Sequence, residues 1–175
     1  KEEFETKINS RLVILQRGYF QEEIFGNSGP IPPKVGKTTT YTIIWQAKNY
    51  YNDVKNVKVK AFLPPNVKLT GKIFPQEEAS RFSFDVQSRE IVWTIKDSQP
   101  LEAGAGVLSP APNVAFQVAL TPTPNQKGKT AQIISEVRIK GEDQWTESIL
   151  EDTDHGIDTT LPDDKTVSLK QGIVE

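Results

Sequence analysis

The sequence has no cysteine, no methionine and a single histidine, His155. Without cysteine there are no disulfides and no thiol chemistry. One histidine cannot supply the ligand sets of most zinc, haem or iron–sulfur sites. No apolar run approaches the roughly eighteen residues that a membrane-spanning helix needs, so this segment has no direct membrane insertion. There is no excess of either charge: 21 Lys and Arg stand against 23 Asp and Glu, a formal net charge of -2. A nucleic-acid binder usually carries a basic excess or stripe, so nucleic acid is not an expected partner. No GxSxG elbow, HExxH pair or GxxxxGK[ST] loop occurs. With no methionine at position 1, the expectation is a piece of a longer product.

What is present is β-strand patterning. At 175 residues, 36% of them hydrophobic, the chain can close a core without staples. Residues 1–9, KEEFETKIN, are mostly charged and read as a linker or N-terminal arm. Residues 10–175 read as one domain. Residues 11–20 form a first strand with apolar side chains on both faces. Residues 26–36 hold three glycines and three prolines in eleven residues, which is a loop. Then comes the clearest alternation: Thr39, Tyr41, Ile43, Trp45 and Ala47 share one face. After a turn at 49–53, Val57, Val59, Ala61 and Leu63 alternate against lysines, as in a half-buried hairpin. Pro64 and Pro65 stop that strand, and residues 67–73 are an irregular or edge segment.

Further strands are expected over 83–86, 90–95, 114–121, 130–140 and 145–150, with a last short one at 167–169. Residues 97–113 are a long Pro/Gly/Ala-rich connection that Leu101, Val107 and Leu108 would tie down. Residues 151–165 read as an acidic turn. Eight or nine strands without a convincing helix predict an all-β protein, an immunoglobulin-like two-sheet antiparallel β-sandwich. The expected core includes Tyr41, Ile43, Trp45, Val57, Val59, Trp93, Phe116, Val118, Val137 and Ile139.

Chemistry is sparse. A catalytic base would have to be His155, which sits between acids in a predicted loop. The acid pairs Glu22–Glu23, Glu77–Glu78 and Asp163–Asp164 are sequence neighbours, and on a strand such neighbours point to opposite faces. No catalytic residue is assigned. Asp152, Asp154 and Asp158, with Glu151 before them, offer hard oxygen ligands in a glycine-containing loop. Calcium is the cofactor they would suit, although the EF-hand spacing is absent. Tyr50 and Tyr51, in a loop between asparagines, and Trp145, in a polar stretch, are the candidate contacts for carbohydrate or protein. No lysine lies clearly on an inward face, which argues against an intramolecular lysine–asparagine cross-link.

The stretch GPIPPKVGKTTTYTIIWQAKNYYNDVKNVKVKAFLPPNVK resembles the conserved-repeat, immunoglobulin-like domains of large bacterial cell-surface and secreted proteins. The likeness rests on Gly36, the TYTI strand at 40–43, the asparagine-rich turn at 49–52, the NVKVKAFLP strand at 56–64 and EIVWTI at 90–95. It runs over residues 29–165. It implies a β-sandwich with Greek-key connections, carried in a multi-domain exported chain beside neighbouring domains. It implies no catalytic residues. Such domains act as spacers or stalks, or sit near adhesive modules.

Overall fold

Alternation of apolar and polar side chains decides which face each strand buries. The computed structural model describes residues 2–175. Its strands are β1 (Leu12–Tyr19), β2 (Thr39–Asn49), β3 (Val54–Phe62), β4 (Val67–Phe74), β5 (Phe82–Phe84), β6 (Glu90–Ile95), β7 (Asn113–Leu120), β8 (Gln132–Ile134), β9 (Val137–Asp143), β10 (Ile149–Asp154) and β11 (Ile157–Asp158). They form a four-stranded sheet in the order β1-β2-β7-β4 and a five-stranded sheet in the order β10-β9-β3-β6-β5. β8 and β11 pair separately. All these pairings are antiparallel. The four-stranded order is that of strands A, B, E and D of a constant-type immunoglobulin domain. The strands β10, β9 and β3 stand as G, F and C, and the β5–β6 hairpin extends that sheet beyond C.

The two inner faces meet in one hydrophobic cluster that runs from Leu12 to Val174. All ten residues expected in the core lie there, each 1% exposed or less. Trp45 is at its centre. Its ring meets Phe116 edge-on at 4.9 Å, and its Nε1 donates to Gln16 Oε1 at 2.7 Å. Trp93 donates through Nε1 to Glu78 Oε2 at 2.7 Å. In both cases the polar handle of a buried indole is satisfied. Gly141 of β9 is required by close approach: a Cβ there would meet Val54 Cγ1 at 2.5 Å and Val57 Cγ2 at 3.1 Å.

Several expectations need correction. The run 130–140 is two strands, not one. It breaks at Ser135, whose Oγ accepts the Phe62 N–H and whose carbonyl accepts Gln16 Nε2. Residues 144–148 are a turn, and the strand there starts at Ile149. Residues 152–154 belong to that strand rather than to a loop. The end of the chain is a short 3-10 helix over Leu169–Gly172, closed by a capping box between Ser168 and Gln171, not a strand. The long connection after β6 is stitched by Leu101, fully buried and paired across Val54. Val107 and Leu108 do not help, being 49% and 89% exposed.

Replacing Trp45 with Ala should lower stability by about 3–5 kcal/mol. Urea unfolding measures this. A loss near zero would mean that the indole is not the centre of the core.

Candidate functional site

The polar side chains that matter lie at the edges and ends of the sandwich. One group gathers where the chain enters the fold. Asp143, at the end of β9, is fully buried. Its Oδ2 accepts the Ser10 N–H at 2.7 Å and Asn52 Nδ2 at 2.9 Å. Its Oδ1 accepts the N–H groups of Trp145 at 2.9 Å and Thr146 at 3.0 Å, which forms the β9–β10 turn. Ser10 Oγ donates to Asn49 Oδ1 at 2.6 Å and accepts the Tyr51 N–H at 3.0 Å. Asn49 is also fully buried, and its Nδ2 reaches the carbonyls of Asn52, Leu101 and Glu102. Four separate segments thus meet on a few short side chains. Burial alone pushes the Asp143 carboxyl up. The hydrogen bonds from Asn52, Ser10, Thr146 and Trp145 outweigh it and hold the pKa at about 2.

A second group closes the gap between the sheets. One edge of β1 is paired with β2, so alternate N–H groups face away from that sheet. Asp152 Oδ2 accepts the Ile14 N–H at 3.0 Å, and Asp154 Oδ2 accepts the Gln16 N–H at 2.9 Å. The two-residue period of β10 matches the two-residue period of β1. Carboxylates therefore take the place of a neighbouring strand's carbonyls. Gln16 completes the seam, donating Nε2 to the carbonyls of Ser135 and His155, each at 2.9 Å.

At the far end, Asp164 is 4% exposed and accepts the N–H groups of Phe20 and Gln21, both at 2.8 Å. Burial pushes its carboxyl up, but Thr166, Gln21 and Phe20 together hold it below the usual carboxylate value. On the outer face of the four-stranded sheet, Thr42 and Gln117 are buried beneath the loop at 20–29. Asn27 and Glu22 bond them there.

The residues singled out in the sequence fall as follows. Asp152 and Asp154 are engaged with β1. Asp158 lies beyond the turn, with its Oδ1 accepting from the Thr160 N–H at 2.9 Å and from the Thr160 hydroxyl. The three aspartates do not converge, and among the described residues no cluster of three His, Cys, Asp or Glu is placed to hold a metal ion. His155 is exposed. Tyr50 is half-buried, with the Arg11 guanidinium 5.5 Å from its ring centre. Tyr51 is 64% and Trp145 46% exposed. Both flank the Ser10–Asp143 group, so the structure does bring them to one end. No described lysine is buried, so a lysine–asparagine cross-link has no buried amine to form from.

Ser10, Asn49, Asn52, Asp143 and Gln16 were not foreseen. Gln16 carried a signal, as the polar residue on the buried face of an apolar strand. The others are short polar residues at strand ends, which look like any turn until their partners are known.

The comparisons with known proteins come to the fold. No protein-family model matches the sequence, and no curated protein sequence matches it. Among solved structures the chain is similar to a variant of BcpA, the major pilin subunit of Bacillus cereus. The TM-score is 0.51 at 13% identity, over 86% of this chain and 40% of that one. The fold is an immunoglobulin-like β-sandwich. The full-length major pilin SpaD from Corynebacterium diphtheriae aligns at a TM-score of 0.48 and 9% identity, over 83% of this chain and 35% of that one. The chain therefore spans well under half the length of either pilin. No helix among the described residues is long and apolar enough to cross a membrane.

Asp143→Asn should destabilise the protein by about 1–3 kcal/mol, because an amide nitrogen cannot accept the bonds that Oδ2 receives. The sign with pH follows from the depressed pKa. The carboxylate's contribution is complete above its unfolded value of about 4 and is lost as pH falls through about 2. Urea titrations at several pH values should show the gap between wild type and variant steady at neutral pH and shrinking below pH ~4. Melting in calcium and in chelator should give the same temperature. A rise with calcium would mean that Asp152, Asp154 and Asp158 rearrange around the ion.

Proposed function

We propose that the chain is a non-enzymatic structural module, a spacer in a larger bacterial cell-surface or secreted protein, carried in series with neighbouring domains. The observation that carries this reading is the placement of its two ends. The chain enters at Ser10, beside the β2–β3 and β9–β10 turns. It finishes at the opposite pole, where Val174 exchanges backbone hydrogen bonds with residues 128 and 129 and Glu175 with Pro33 and Val35. A module entered at one pole and left at the other transmits tension along its length. β1 then lies along the pull, and its bonds to β2 and to Asp152 and Asp154 run across it. Such bonds load together in shear rather than one at a time. The likeness to a pilin subunit supports a load-bearing role.

A second reading, an adhesion module that binds carbohydrate or protein through Tyr50, Tyr51 and Trp145, is favoured by the exposure of Tyr51 and Trp145 at one end.

Single-molecule pulling tests the spacer reading. Pulled through residues 10 and 175, the sandwich should unfold at a higher force than when pulled through residues 98 and 146, which both lie at the entry pole, after β6 and in the β9–β10 turn, and so load the sheet across its strands. Asp152→Ala with Asp154→Ala should lower only the end-to-end force. Equal forces in both geometries would overturn the reading.

A further inference from the structure

A groove of about 670 Å³ runs over the outer face of the five-stranded sheet, which the spacer reading leaves unused. Its centre is cationic. Lys58 stands opposite Lys140, and Lys60 opposite Arg138, so β3 and β9 present a two-by-two block of positive side chains. Like charges directly opposite each other destabilise an antiparallel pair. The neighbouring acids sit at the margins and neutralise the block loosely. Glu90 is 3.9 Å from Lys60, Glu136 is 4.0 Å from Arg138 and Glu151 is 3.6 Å from Lys140. These distances are ion pairs beyond hydrogen-bond range, so the donors remain open. Glu142 turns to Lys55 at 3.4 Å, and Lys58 has no ion-pair partner among the described residues. Two apolar side chains complete the lining: Phe62 is 48% and Ile149 56% exposed.

The chain itself contains a segment of complementary chemistry. Residues 2–5 read Glu-Glu-Phe-Glu. Every residue from 2 to 9 is exposed, and Phe4 is 88% exposed. The root of this arm is fixed. Lys7 Nζ donates to the Trp145 carbonyl at 3.3 Å, and Asn52 Nδ2 donates to the Ile8 carbonyl at 2.7 Å. The arm thus stands clear of its own body from a defined point. We propose that the arm of one copy docks into the sheet-face groove of a second copy.

Charge complementarity selects this occupant. Three carboxylates in four residues meet four cations, three of them in long ion pairs and Lys58 in none among the described residues. In an extended arm Glu3 and Glu5 lie about 6.6–6.8 Å apart, the same two-residue repeat that separates Lys58 from Lys60 and Arg138 from Lys140. Phe4 brings the one ring of the arm to a groove that exposes Phe62 and Ile149. Arm and groove are different surfaces, so the contact is heterologous, and a copy docked through its arm still presents its own groove to a further copy.

The test uses the 175-residue chain. Sedimentation velocity over a range of concentrations, in low and in high salt, reads the association. The wild type should self-associate, more weakly as salt screens the charges. An arm-reversed variant (Glu2→Lys, Glu3→Lys, Glu5→Lys) and a groove-reversed variant (Lys58→Glu, Lys140→Glu) should each lose about tenfold or more in affinity alone. All five positions are at the surface, and circular dichroism verifies that both variants fold. Mixed together, the two variants should associate again, because the reversed arm now matches the reversed groove. A wild type that stays monomeric, or association that both reversals leave unchanged, would overturn the proposal.

Discussion

The seam between β1 and β10 is the contact on which the sandwich depends. Two sheets packed face to face leave open sides, where strand edges present unpaired N–H and C=O groups. Here one side is closed by side chains. Asp152 and Asp154 stand two residues apart on β10 and meet two N–H groups two residues apart on β1. A one-residue slip of either strand would turn both carboxylates away, so the seam also fixes register. Because a carboxylate accepts more strongly than a carbonyl, the substitution closes the edge with few bonds.

The ends of the sandwich follow the same logic. Asp143 and Asn49 at one pole, and Asp164 at the other, bind backbone N–H or C=O groups of segments far apart in sequence. Each is a short side chain with little entropy to lose, and each is almost fully buried. The result is a module whose entry and exit are both tied to the body. That arrangement fits the proposed spacer role. The likeness to a pilin subunit agrees in fold, and the mechanical reading comes from the placement of the ends.

Much of the fold was legible because buried strands carry a period-two signature. Thr39 to Ala47, Val57 to Leu63 and Ile91 to Ile95 could be assigned to faces directly and hold six of the ten expected core residues; Phe116, Val118, Val137 and Ile139 followed from the alternation in 114–121 and 130–140. The failures have physical causes. The break in 130–140 depends on Ser135 meeting Phe62 and Gln16, which are remote in sequence. The turn at 144–148 depends on Asp143 accepting two backbone N–H groups, whereas its sequence shows Trp145 and a weak alternation. The backbone N–H groups that Asp152 and Asp154 accept are invisible in sequence. Only the register with β1 shows that the partner is the backbone. Of Tyr50, Tyr51 and Trp145, singled out as candidate ligand contacts, Tyr51 and Trp145 are exposed and Tyr50 is half-buried. The shared end of Tyr51 and Trp145 in the sandwich came from Ser10 and Asp143, which accept their backbone N–H groups and carried no pattern.

Amide hydrogen exchange at Ile14 and Gln16 tests the seam most directly. The seam predicts that both amides are as protected as those of Val13 and Leu15, which face β2. In Asp152→Ala with Asp154→Ala these two should exchange faster while Val13 and Leu15 keep their protection. Rapid exchange at Ile14 and Gln16 in the wild type would contradict the account, since it would mean that β1 carries a free edge.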